Sequence, residues 1–340
     1  MNGLISIFTA LALMSGSLTA CTAIAVGKKA SKDGSVIVSQ TDTGADSRLF
    51  VVPAKKYKPG EKAPVYLDIQ DVRRPLHDDG RILGYIPQVP QTYAYIHSAY
   101  SHINEHQLAI AESTLSQRNE LVVNHETGKQ IMTIEQAMIF ALQRHKKARE
   151  ATAFIGELMT RYGFLPSCAD GSESLIIADP QEAWVFEVYS VGPGWTPESG
   201  KPGAIWAAQR LPDEDVTMIP NWSIIKEINP EDNSRFMVST NYKQEAIDRG
   251  WYDPAASKPF IWQDIYSPVP AEWATSRFWS FFHRFAADSV PLPDRTLSGN
   301  PYLGLNQYTQ SVEPLSIYPF SVKPAKTMSV TDIMAFQRSV

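Results

Sequence analysis

Cysteine occurs only twice in the 340 residues, at Cys21 and Cys168, so a disulfide-stapled scaffold is excluded. Basic runs are missing, and 31 Lys and Arg against 36 Asp and Glu leave a net charge of −5. That balance argues against nucleic acid, whose phosphates call for clustered cations. The chain carries no G-x-S-x-G elbow, no P-loop and no G-x-G-x-x-G phosphate cradle. Low-complexity tracts and internal repeats are absent too. What is present is a 44% hydrophobic composition with 14 Phe, 14 Tyr and 8 Trp, enough to build a sizeable core.

No charged side chain precedes Lys28. Leu4 to Met14 has the length of the apolar segment of a secretory signal, and small residues follow from Ser15 to Ala20. Ser6, Thr9, Ser15, Gly16, Ser17 and Thr19 dilute the run too much for a membrane span. Residues 1–20 are therefore expected to be a signal peptide that directs export to a periplasmic or extracellular space. Leu18-Thr19-Ala20-Cys21 also fits a lipobox, in which Cys21 becomes a lipid anchor. Both readings make Cys21 the first residue after cleavage.

Downstream, Ala23–Val26 and Ser35–Ser39 read as strands joined by a turn at Ser31–Gly34, with further strands at Tyr93–His97, Leu108–Ala111, Leu175–Ala178 and Ala183–Val188. Thr133 and Gln136 form a predicted capping box ahead of Ile134, Ala137, Met138, Ala141 and Leu142. A second helix places Ala151, Phe154, Ile155, Leu158, Met159 and Tyr162 on one face and stops at Gly163. Strands, paired helices and strands again predict an α+β fold in one domain, 21–340. Residues 251–325, rich in Pro and Trp, read as long connections over the core. A capping box at Ser329 and Asp332 opens a helix close to Val340, and the C-terminus is expected to be truncated.

His102-Ile103-Asn104-Glu105-His106 matches H-x-x-E-H, but zinc chemistry needs both His on one helical face. The flanking alternation makes the segment a turn instead. Glu173, Asp179 and Glu187 have no evident partner and are expected at solvated positions. Cys168 could be a nucleophile or half of a bridge to Cys21 in an oxidising compartment, but it reads first as a small buried hydrophobe. Cys21 differs, because cleavage gives it a thiol and a free α-amine. An amine of pKa about 7.7–8.0 can take the thiol proton, so one residue supplies nucleophile and base.

The segment Cys21-Thr22-Ala23-Ile24-Ala25-Val26-Gly27-Lys28-Lys29-Ala30-Ser31-Lys32-Asp33-Gly34-Ser35 resembles the mature N-terminus of the C69 dipeptidases. These are N-terminal nucleophile cysteine hydrolases related to penicillin V acylase and bile salt hydrolase. The resemblance continues through Asn104-Glu105, Ala111-Glu112-Ser113-Thr114, Tyr162-Gly163-Phe164, Glu173–Asp179, Glu182-Ala183-Trp184 and Trp206–Pro212, and it reaches about Arg338. It implies a four-layer αββα sandwich and hydrolysis of dipeptide substrates through a thioester, without metal or organic cofactor. By matched position Cys21 would be the nucleophile, and Asp42 would hold its amine. Asn221 would donate to the oxyanion, and Arg277 would favour the thiolate. Thr114 would be a substrate or second oxyanion contact. Gln40 stands where many members carry Arg, and Asp46 competes with Asp42 for the acidic role. Two alternatives remain: an N-acyl amide hydrolase on the same fold, or a non-catalytic lipoprotein lipidated at Cys21, the only case in which a membrane would be a partner.

Overall fold

A computed structural model describes residues 21–42, 48–67, 81–100, 102–167, 171–268, 272–293 and 315–339. The expected signal peptide, Asp46 and Cys168 lie outside the described residues. Among the described residues, thirteen strands and six α-helices make the fold α+β. A small antiparallel sheet has β1 (Thr22–Val26) at its centre, between β2 (Ile37–Thr41) and β12 (Val216–Ile219).

A large antiparallel sheet takes the remaining strands except for one ribbon. Its members are β3 (Phe50–Val52), β6 (Tyr95–His97), β7 (Ile103–Asn104), β8 (Ala109–Leu115), β9 (Ser172–Ala178), β10 (Ala183–Ser190), β11 (Ala204–Arg210) and β13 (Phe236–Val238). Their spatial order is β13-β11-β10-β9-β8-β7-β6-β3. The strands β4 (Lys62–Tyr66) and β5 (Ile82–Pro87) form a separate ribbon.

The central strands of the large sheet are apolar on both faces, as strands covered on two sides must be. Leu175, Ile177, Trp184, Phe186 and Trp206 pack with α1 (Ile134–Arg144) and α2 (Ala148–Tyr162). Ile176, Val185, Ile205 and Ala207, pointing the other way, share a second core with β1, β12 and three C-terminal helices. These are α4 (Trp262–Tyr266), α5 (Glu272–Ala286) and α6 (Val330–Gln337). The short α3 (Gln244–Asp248) contributes Ala246 to the same core.

Most predicted elements are where periodicity put them. Gly163 ends α2 at φ 74°, a conformation that a side chain would resist. The Ser329–Asp332 box carries both reciprocal hydrogen bonds. At α1 the expectation was half right. Thr133 is the N-cap but makes no capping hydrogen bond, and the Gln136 amide oxygen accepts from the backbone of Tyr66 instead. Residues 251–325 are not merely connections. Ala274, Phe278, Phe281, Phe282 and Phe285 form a helical stripe on α5 that stacks on Tyr318 and Phe336.

Glu173, Asp179 and Glu187 are also not solvated; all three are buried. Asp179 accepts from the backbone of Ala148 at 2.8 Å, so it satisfies an orphan N–H at the start of α2. It also accepts from Gln181 and Glu182 in the β9–β10 turn. The segment around His102 and His106 is the β7–β8 turn, with Gln107 at φ 64°, as the flanking alternation required.

The seat of α2 on β11 is tight. A Cβ on Gly156 would come within 2.5 Å of the Trp206 ring. Gly156→Ala should therefore cost about 1–3 kcal/mol through overpacking, read as a lower denaturation midpoint. A variant as stable as the parent would mean that the ring yields freely.

Candidate active site

Cys21 stands immediately before β1, and the pairing of that strand decides what surrounds it. Thr22 faces Thr41 in β2, so one further step sets Asp42 opposite Cys21. Ala23 faces Ile219 in β12, so two further steps bring Asn221 to its other side. The Cys21 side chain is 2% exposed, and its thiol is free. Sγ donates to Asp42 Oδ1 at 2.8 Å.

Three of the other expected residues close around this pair. Asn221 sits at φ 59°, a left-handed conformation that asparagine tolerates better than most side chains. Its backbone N–H donates to Ser113 Oγ at 3.1 Å, and its Nδ2 donates to the Thr114 carbonyl at 2.9 Å. Arg277, on α5, donates from Nη1 to the Cys21 carbonyl and to Thr22 Oγ1, and from Nη2 to Pro220 O and Asn221 Oδ1. The guanidinium thus straps β1 to the turn after β12 and fixes the orientation of the Asn221 amide. Thr114 offers its backbone oxygen to Asn221 and its hydroxyl to Glu112 Oε1 at 3.4 Å.

The loop that carries Asn221 is held from beneath by Glu187. This fully buried carboxylate, on β10, accepts from Ser223 Oγ at 2.6 Å, Ile224 N at 2.7 Å, Ile225 N at 3.2 Å and Trp262 Nε1 at 2.7 Å. Four donors satisfy a charge that would otherwise be costly inside the protein.

Burial pushes the Cys21 thiol pKa up, and the Asp42 charge and hydrogen bond push it further, against a smaller lowering by the Asn221 hydrogen bond. Arg277 donates to the Cys21 carbonyl, and its charge and a Cys21 thiolate attract each other. Burial in turn draws the Arg277 guanidinium down to about 10, where it remains charged near neutrality.

Sequence reasoning assigned no role to two acids and one amide at this site. Gln40 donates to Asp42 Oδ2 at 3.4 Å and accepts from the Glu112 backbone N–H at 2.8 Å, bridging β2 to β8. One donor atom each from Cys21, Asp42 and Glu112 lies within 4.8 Å of the others, the one group among the described residues that could hold a metal ion. Neither His102 nor His106 belongs to it. Glu112 was visible only as part of a matched motif, and Glu173 was expected at a solvated position. Their alternation on β8 and β9 would have marked them as facing one way.

Replacing Asp42 by Asn removes the main charge opposing the thiolate. The thiol pKa should then fall, and iodoacetamide should label Cys21 faster at a fixed pH near 8. Unchanged or slower labelling would mean that burial alone governs the thiol.

The sequence model described as peptidase family C69 matches residues 20–339. Among curated proteins, a probable dipeptidase of Salmonella dublin is 23% identical over 307 residues, covering 85% of this chain and 64% of that protein. A probable dipeptidase B of Lactococcus lactis subsp. lactis (strain IL1403) is 27% identical over 247 residues, covering 69% of this chain and 45% of its own length. A probable dipeptidase of Latilactobacillus sakei is 24% identical over 246 residues, with 71% and 47% coverage. The chain therefore spans about half to two thirds of the length of these relatives. With the match running from the residue before the buried thiol to the last turn of α6, the chain belongs to peptidase family C69.

Proposed function

We propose that this protein is an exported cysteine dipeptidase of the N-terminal nucleophile class, on the four-layer αββα architecture of such hydrolases, switched on by removal of residues 1–20. The observation that carries this reading is the convergence of Asp42, Asn221 and Arg277 on Cys21 at the head of a buried central strand. Burial of the thiol also speaks against the lipoprotein reading, since a diacylglycerol thioether has no room there. The names of the relatives supply the substrate class.

Before cleavage the Cys21 nitrogen is a peptide amide with no basic lone pair, and the thiol is held protonated against Asp42. Cleavage creates an α-amine at the same residue. As ammonium it offsets the Asp42 charge; as neutral amine it accepts the thiol proton. Sγ then attacks the dipeptide carbonyl, and the electron pair moves to the carbonyl oxygen. Asn221, whose side chain hydrogen-bonds the thiol, would donate to that oxyanion from Nδ2. Collapse forms the thioester as the ammonium returns its proton to the departing amino acid. Water, deprotonated by the same amine, releases the acyl half. Arg277 acts through Asn221 and the Cys21 carbonyl, holding both in register.

The test is processing itself. The uncleaved chain should be inactive, and the form beginning at Cys21 should hydrolyse dipeptides, with activity rising with pH as the α-amine loses its proton near about 7.7–8.0. The sign follows from the need for the neutral amine. Cys21→Ala should abolish turnover, whereas EDTA should not affect it. Substantial turnover by Cys21→Ala, or by the form with an acetylated Cys21 amine, would refute the mechanism. Activity lost to EDTA and restored by zinc would instead make Cys21, Asp42 and Glu112 a metal centre.

A further inference from the structure

We infer that Glu112 and Glu173 form the subsite for the α-ammonium group of the substrate, so that the free amino end of a dipeptide seats its first carbonyl on Cys21. The inference rests on the dipeptidase reading and adds to it the group by which the substrate is selected.

Glu112 lies on β8 and is fully buried, with one carboxylate oxygen in the cluster that includes Sγ and an Asp42 oxygen. Glu173 reaches the same place from the neighbouring strand. In the β8–β9 register Thr114 pairs with Glu173 and Glu112 with Leu175, so Glu112, Thr114 and Glu173 share one face. Glu173 is also fully buried, its polar neighbours being Thr114 and the Glu112 carboxyl, and no well-aligned donor meets either of its oxygens or Glu112 Oε2. Buried polar groups are seldom left this way, and a buried carboxylate least of all. Glu187, equally buried, has four donors. The contrast marks Glu112 and Glu173 as groups whose partner comes from outside the fold.

The chemistry of the missing partner is narrow. Burial raises both carboxyls, Glu173 to about 8 despite a lowering by its hydrogen bonds with Glu112 and Thr114, and the charges of neighbouring acids raise each further, so the pair is short of positive charge. Arg277 directs its donors to Cys21 O, Thr22, Pro220 and Asn221, towards the other side of the nucleophile. Three carboxylate oxygens without donors match the three N–H groups of an ammonium ion. Distance agrees as well. In a dipeptide the α-nitrogen is about 2.5 Å from the scissile carbonyl carbon, given standard bond lengths and angles. With that carbon about 3–3.5 Å from the attacking sulfur, the nitrogen falls within roughly 5 Å of Sγ, the range in which Glu112 lies. Asp42 stays with the Cys21 amine, and the two glutamates receive the substrate amine. An N-acyl substrate would bring no charge and leave both carboxylates without a donor, which strongly disfavours the amide-hydrolase alternative.

The experiment uses the processed protein, its N-terminus confirmed as Cys21 by mass, with Ala-Ala and its des-amino counterpart propionyl-alanine. The parent should prefer Ala-Ala by on the order of 10³-fold or more in kcat/KM, as a site with buried groups left unpaired rejects the analogue. Glu112→Gln and Glu173→Gln, which keep shape and remove charge, should each raise KM for Ala-Ala by roughly tenfold or more and narrow that preference. Both variants should still titrate one Cys21 thiol per chain, which confirms a folded site. An unchanged preference in both variants overturns the subsite while the dipeptidase reading stands. Equal loss of kcat on both substrates, with KM unmoved, also overturns it, because the pair would then serve the Cys21 amine. A preference that EDTA abolishes would assign the carboxylates to a metal ion and overturn it likewise. A parent that cleaves neither substrate removes the dipeptidase reading itself.

Discussion

The pairing of β1 between β2 and β12 is the constraint on which the site depends. Antiparallel register leaves no freedom in which residues flank the position before the strand, and here they are Asp42 and Asn221. A one-residue slip of β1 against its two partners would turn the thiol to the opposite face and replace both neighbours. Arg277 strengthens this arrangement from outside the sheet, because its two ends bind β1 and the turn after β12 together. Packing and chemistry are thus served by the same contacts.

The site also shows how unequal buried carboxylates can be. Asp179 and Glu187 are closed structural elements, each surrounded by donors that the fold supplies. Glu112 and Glu173 lie just as deep but have no such shell. The first pair adds rigidity: one fastens a helix start, the other a loop with a left-handed asparagine. The second pair costs stability, and that cost is concentrated beside the nucleophile, where proteins commonly tolerate it.

Much of this was legible in the sequence. Strands β6, β8, β9 and β10 of the large sheet, α1, α2 and the final capping box follow from periodicity and end signals that local chemistry enforces. Cys21 stood out because the expected signal segment ends just before it. Asp42, Asn221, Arg277 and Thr114 could be placed only by resemblance, since no local rule links residue 21 to residues 42, 221 and 277. Long-range register does that, and register is not written in any short window. The buried acids were misread for the same reason. Glu187 looks solvated until Ser223, Ile224 and Trp262 are folded against it. The α5 stripe was obscured by the surrounding Pro-rich composition, although Phe278, Phe281, Phe282 and Phe285 carry a regular helical spacing.

The position of β1 has a kinetic consequence. It is the first described strand to leave the ribosome, yet one of its partners, β12, is formed by residues 216–219. Until that far segment arrives, β1 can pair only with β2, and Cys21 faces Asp42 on one side and solvent on the other. Closing so distant a contact is intrinsically slow, because loop entropy is lost before the pairing gains anything. The small sheet is therefore completed late in folding, and the nucleophile acquires its full surroundings only when most of the chain is already in place.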